Sequence, residues 1–176
     1  IEKLKILSQD SVYDLACACG TDKCDHRIRS KEDKWIYPVT MQDGRRTFLF
    51  KTLISNICLN TCNYCPLRIT QDPRRCSLSP EEMAKTFLQL YKSGKVSGLF
   101  VSSGLSGTPD NTMEKINATA EILRKNKFRG YIHLKIMPGS SDAAIEKAVS
   151  LASAVSLNIE TAGEKHFKKL GTNKNY

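Results

Sequence analysis

From residue 47 onward the sequence alternates between apolar runs of strand length and segments with helical periodicity. TFLFKTLI, VSGLFVSSG, YIHLKIM and AVSLNIE read as strands, and the segments between the later ones read as helices. Strand–loop–helix units repeat about four times, which predicts an α/β fold with a parallel sheet and helical crossovers. In such sheets the loops that follow the strands' C-terminal ends build the site. The cysteine-containing stretch NICLNTCNYCPLR, the Ser102-Ser103-Gly104 turn, Met137-Pro138-Gly139 and the NIET stretch at 158–161 all fall at such ends.

Local signals support the helices. Ser79, Pro80 and Glu82 form a capping-box pattern with proline at the first helical position. Met83, Phe87, Leu90 and Tyr91 then recur at helical spacing, as do Met113, Ile116, Ala120 and Leu123 in the next helix. GEKHFKKL begins a further one. Upstream, WIYPVTM and TFLFKTLI flank Asp43-Gly44, a hairpin turn signal. Residues 1–30 read as a polar lead-in with three cysteines. The expected organisation is an N-terminal extension with a hairpin over 1–46 and the barrel part over 47–176. A start without Met and an end just after a strand–helix signal predict a piece of a longer chain.

The chain carries seven cysteines, an odd count, and no secretory signal, which argues for a reducing compartment and against a disulfide framework. Cys58, Cys62 and Cys65 stand at C-x3-C-x2-C spacing. A closed zinc site needs four ligands and a disulfide two. Thiolates are soft ligands suited to iron–sulfur clusters, zinc or copper. Three protein ligands on a four-iron cluster would leave one iron open. A zinc site completed by Cys76 or a remote residue, and three spare thiols, are the other readings of the spacing.

C-x3-C-x2-C with an aromatic before the last cysteine, here Tyr64, resembles the signature of the radical S-adenosylmethionine (radical SAM) superfamily. KLKILSQDSVYDLACACG, YPVT, FKTLISNIC, GLFVSSG, PDNTMEK, GYIHLKIMPG and SLNIET, in this order, are similar to the group named putative DNA modification/repair radical SAM proteins. The resemblance covers essentially the whole chain and implies the N-terminal part of a partial (β/α)6 barrel. It implies a [4Fe–4S] cluster held by Cys58, Cys62 and Cys65, with S-adenosylmethionine chelating the fourth iron. An electron from an external flavodoxin- or ferredoxin-like donor would cleave the cosubstrate to a 5′-deoxyadenosyl radical. The group's name points to DNA or RNA as the substrate class, with the reaction on it left open, and the cysteine usage points to a cytoplasmic setting. The alternative is a zinc-binding, basic nucleic-acid-binding module without radical chemistry.

The same resemblance points to cosubstrate contacts. Ser102, Ser103 and Gly104 stand where many members carry Gly-Gly-Glu, so this chain departs from that pattern; a plain strand end is the other reading. Asn158 and Glu160 alternate along the fourth barrel strand and point to one side by strand period. They resemble the ribose and methionine contacts of the family, a strand-end polar pair without a ligand being the other reading, and Tyr64 reads as packing near the adenine or as a cover for the cluster. His133 and Lys135 share one face of the third barrel strand. Cys17, Cys19 and Cys24, with His26, offer soft ligands for a second metal or a loop that shields the main cluster. Cys76 reads as a spare ligand, a radical donor or a buried thiol.

The net charge of +9 is spread evenly, with 13 Lys/Arg against 9 Asp/Glu in residues 1–76 and 14 against 9 thereafter. It permits a polyanionic partner without identifying one. The basic run LRKNKFR ends a helix, where cations complement the macrodipole as well as they would a phosphate. No apolar run approaches the roughly 18 residues of a membrane span.

Overall fold

The computed structural model describes residues 2–11, 35–40 and 43–174. Its elements in order are α1 (Glu2–Asp10), β1 (Ile36–Thr40), β2 (Arg46–Leu53), α2 (Pro80–Lys92), β3 (Gly98–Ser102), α3 (Pro109–Lys125), β4 (Tyr131–Lys135), α4 (Asp142–Leu151), β5 (Ala154–Ser156) and α5 (Glu164–Lys168). The proposed second-metal residues Cys17, Cys19, Cys24 and His26 lie outside the described residues.

The five strands form one sheet in the order β1-β2-β3-β4-β5. β1 and β2 are the antiparallel hairpin that Asp43-Gly44 predicts, with Ile36 opposite Phe50. From β2 to β5 every pair is parallel and every crossover leads to the adjacent strand, the progression of a barrel wall. One face packs under the helices: Phe50, Leu99, Val101, Ile132 and Leu134 join Met83, Phe87, Met113, Ile116 and Leu123 in a single core. The opposite face aligns Lys51, Phe100 and His133 in register.

The capping box at α2 forms as the sequence predicts: Ser79 accepts from the Glu82 N–H, and the Glu82 carboxylate accepts from the Ser79 N–H at 2.8 Å. Thr108 and Ser141 cap α3 and α4 more simply, each side chain accepting from one backbone N–H, that of Asn111 and of Ala144. The basic end of α3 does structural work. Arg124 donates to the carbonyls of Leu151, Phe128 and Gly130, tying α3 to the end of α4 and the start of β4. Lys125 pairs with Glu121.

Two expectations change. The polar lead-in contains helix α1, whose Leu4 and Leu7 enter the core beside β2. The fourth barrel strand is shorter than AVSLNIE, because pairing ends at Ser156. Its partner β4 stops at Lys135, after which Pro138 and the turn at Gly139 carry the chain away. Without a ladder, residues 159–161 close a three-residue turn, with the Thr161 N–H bonded to the Ile159 carbonyl at 2.8 Å. Glu160 at its centre takes φ = +67°, outside the strand region. Strand alternation therefore does not set the directions of Asn158 and Glu160.

Candidate functional site

The cysteine loop leaves and re-enters the sheet at one point. Ile54 donates to the Ser102 carbonyl, Leu78 donates back to Ile54, and Ser55 bridges Ser77. Within the loop, Asn56 is fully buried. Its amide donates to the Asp10 carboxylate at 2.7 Å and the Arg74 carbonyl at 2.8 Å, and its oxygen accepts from the Cys76 N–H. The Arg75 guanidinium donates to four backbone carbonyls, those of Asn56, Leu67, Arg68 and Gln71. One planar fork thus joins the two arms of the loop and satisfies carbonyls that a coil would leave unpaired.

Cys62 and Cys65 sit on tight turns in this frame. Cys65 N–H bonds to the Cys62 carbonyl, and Arg68 N–H to that of Cys65. Cys62 is buried, while Cys58 and Cys65 are half-buried and pack against the core. All three line a cavity of about 140 Å³ at the C-terminal ends of the parallel strands. Tyr64, Ser102, Ser103, Gly104, Asn158 and Glu160 line it too, so the fold brings every residue singled out for the cluster and cosubstrate to one place.

Gly104 is needed for the loop itself. Its N–H bonds to the Ser55 carbonyl at 2.7 Å, and a Cβ there would lie 2.5 Å from the Ile57 oxygen. The absent side chain makes room for the cysteine loop, and the Leu59 N–H then reaches the Leu105 carbonyl. The Ser103 hydroxyl turns to the Gly104 carbonyl at 2.7 Å.

Several wall residues had no sequence signal. Lys174 forms a 2.8 Å ion pair with Glu160, and Asp10 arrives from α1. Lys135, noted for its strand face, is buried on the wall as well. His133 does not line the cavity; its Nε2 lies 2.8 Å from Ser156 Oγ and its ring is edge-on to Phe100. Cys76 is not part of the cavity wall; its sulfur lies 3.8 Å from the Lys3 carbonyl.

Burial pushes the Cys65 thiol above its ordinary value, and the neighbouring Cys58 and Cys62 sulfurs add to this, while Lys174 opposes it. Burial also raises the Tyr64 hydroxyl, with further contributions from its hydrogen bond to Glu160 and from Cys62. Three thiolates in one cavity repel one another, and a cationic group between them removes that penalty. Among the described residues, no three His, Cys, Asp or Glu side chains converge to hold a single ion. Three soft ligands spaced around a shared cavity suit a polynuclear iron–sulfur group.

Comparison with solved structures gives the architecture its class: the chain has the fold of a partial radical SAM (β/α) barrel. It is similar to methylornithine synthase (PylB), with TM-score 0.59 and 20% identity over 96% of this chain and 52% of that one. It is also similar to HydG, a maturase of the [FeFe]-hydrogenase (TM-score 0.56, 19% identity, 70% of this chain and 27% of that one). HydG from Carboxydothermus hydrogenoformans gives TM-score 0.55 and 20% identity over 70% of this chain and 28% of that one. The chain spans about half the length of the first of these proteins and about a quarter of the other two. At this identity the likeness establishes the fold. No family model matches the chain, and no curated protein does. No helix among the described residues is long and apolar enough to cross a membrane.

Proposed function

We propose that this protein is a radical SAM enzyme in which Cys58, Cys62 and Cys65 hold a [4Fe–4S] cluster. The observation that carries the proposal is the shared cavity: three thiols of one loop face it at the C-terminal end of a parallel sheet of this fold. When bound and reduced by an external flavodoxin- or ferredoxin-like donor, the cluster supplies the electron that cleaves S-adenosylmethionine to a 5′-deoxyadenosyl radical. The protein's part is placement and exclusion of water. Ser102, Ser103 and Gly104 bring backbone to one wall of the cosubstrate seat, Asn158 and Glu160 supply polar groups to another, and Tyr64 covers the loop. Lys135 contributes positive charge from the sheet and suits a carboxylate.

Anaerobic reconstitution with iron and sulfide tests this reading. It predicts about four irons bound at the loop, broad visible absorption, and 5′-deoxyadenosine after reduction with S-adenosylmethionine. Cys62→Ala should abolish cleavage. A colourless protein with stoichiometric zinc would refute the proposal in favour of the zinc-binding module.

For the substrate we adopt the nucleic-acid class that the sequence resemblance implies, in a reducing cytoplasmic setting. The net charge of +9 is compatible with it. DNA and RNA affinity measured against salt concentration tests it, since phosphate contacts give a steep negative slope and their absence gives none.

A further inference from the structure

The segment that follows α5 crosses the cysteine loop at close range. The Leu170 carbonyl accepts from the Asn63 N–H at 2.9 Å, and the Gly171 carbonyl accepts from the Thr61 hydroxyl at 2.8 Å. The Asn173 side chain accepts from the Thr61 N–H at 3.3 Å. Gly171 takes φ = +58°, a left-handed conformation that glycine adopts without the strain of a Cβ. These contacts fix residue 172 over the buried cysteine: Thr172 Oγ1 lies 3.1 Å from Cys62 Sγ.

We infer that Thr172 is a positioning residue that donates a hydrogen bond to the Cys62 sulfur and raises the reduction potential of the metal group held there; this rests on the cluster reading above. A threonine hydroxyl has one proton to give and two lone pairs. The Lys174 N–H donates to Thr172 Oγ1 at 3.2 Å and occupies one lone pair. That bond orients the hydroxyl and leaves its proton for another acceptor. A cysteine that ligates iron has no proton, so the hydroxyl donates and the sulfur accepts. Cys62 is only 2% exposed, so water competes little for the sulfur, and a hydrogen bond in that low-dielectric setting has a larger effect. Withdrawing charge from a ligand sulfur stabilises the reduced cluster, which moves the potential upward. The strap is separated from the loop by about 110 residues of sequence, so α5 and the turn at Glu160 must form before this tuning exists.

The test compares wild type, Thr172→Val and Thr172→Ser after anaerobic reconstitution, reading iron content and the midpoint potential by spectroscopic redox titration. Equal iron in all three, a more negative potential in the valine variant and recovery in the serine variant are expected. A valine variant with full iron content and the wild-type potential overturns the inference and leaves the cluster reading standing. A wild type that takes up no iron overturns both. If the valine variant does not fold, Tyr64→Phe with Thr172 intact decides: its Fe–S stretching bands must shift on transfer to D2O, and unshifted bands overturn the inference.

Discussion

Lys174 Nζ lies 2.8 Å from Glu160 Oε1, and the two side chains are only 14% and 12% exposed at the rim of the cysteine cavity. The pair holds Glu160 at a positive φ that costs a non-glycine residue about 1–3 kcal/mol. Removing one member of a buried pair leaves the other charge uncompensated. Lys174→Ala should therefore destabilise the protein by about 2 kcal/mol, somewhat less than full burial would give. Glu160→Gln in the same background should recover part of the loss. Thermal unfolding of the two single variants and the double variant measures the coupling, and strict additivity would show that the pair contributes nothing.

Arg75 bonds carbonyls on both arms of the cysteine loop. Lysine keeps its charge but offers no planar fork for four carbonyls. Arg75→Lys should lower stability by about 2 kcal/mol, as buried carbonyls lose their donors, and should reduce iron uptake at the loop. Denaturant unfolding and iron analysis check the two effects separately.

Gly104→Ala places a methyl group against the Ile57 backbone, which cannot move without shifting Cys58. Overpacking of this kind costs about 1–3 kcal/mol. The variant should melt at a lower temperature and bind less iron. A variant with wild-type iron content would show that the loop has more slack than its contacts indicate.

The capping box predicts a pH dependence. The Ser79 N–H, then Lys3, hold the Glu82 carboxyl below its ordinary value. A depressed carboxyl stabilises the fold above its unfolded value of about 4.3 and loses that contribution as pH falls through the folded value. Wild type should exceed Glu82→Gln in stability at neutral pH, with the gap closing at acid pH. Ser79→Ala should cost about 1 kcal/mol at neutral pH. Urea midpoints measured across the pH range check both.

Much of the fold is local, and local features can be read directly. Ser79 with Glu82 and the Asp43-Gly44 turn act over a few residues, so their patterns survive without tertiary knowledge. Helix α1 escaped because Leu4 and Leu7 are a short apolar signal in a polar stretch; packing against β2 makes it a core element. The fourth barrel strand reads longer in the sequence than it is for the opposite reason. LNIE has a strand's alternation, yet a strand exists only as far as its partner runs, and β4 ends at Lys135.

The sequence by itself determined the chemistry on offer: three thiols at a fixed spacing, on a loop at the C-terminal end of a parallel strand. Spacing within a loop is a covalent fact, and strand–helix alternation restricts where that loop can lie. The tertiary structure decided what surrounds the sulfurs. Asp10 from α1, Arg75 across the loop, and Thr172 and Lys174 from the strap meet there through contacts between distant segments. No periodicity encodes such meetings, because they depend on where several independently formed elements come to rest against one another.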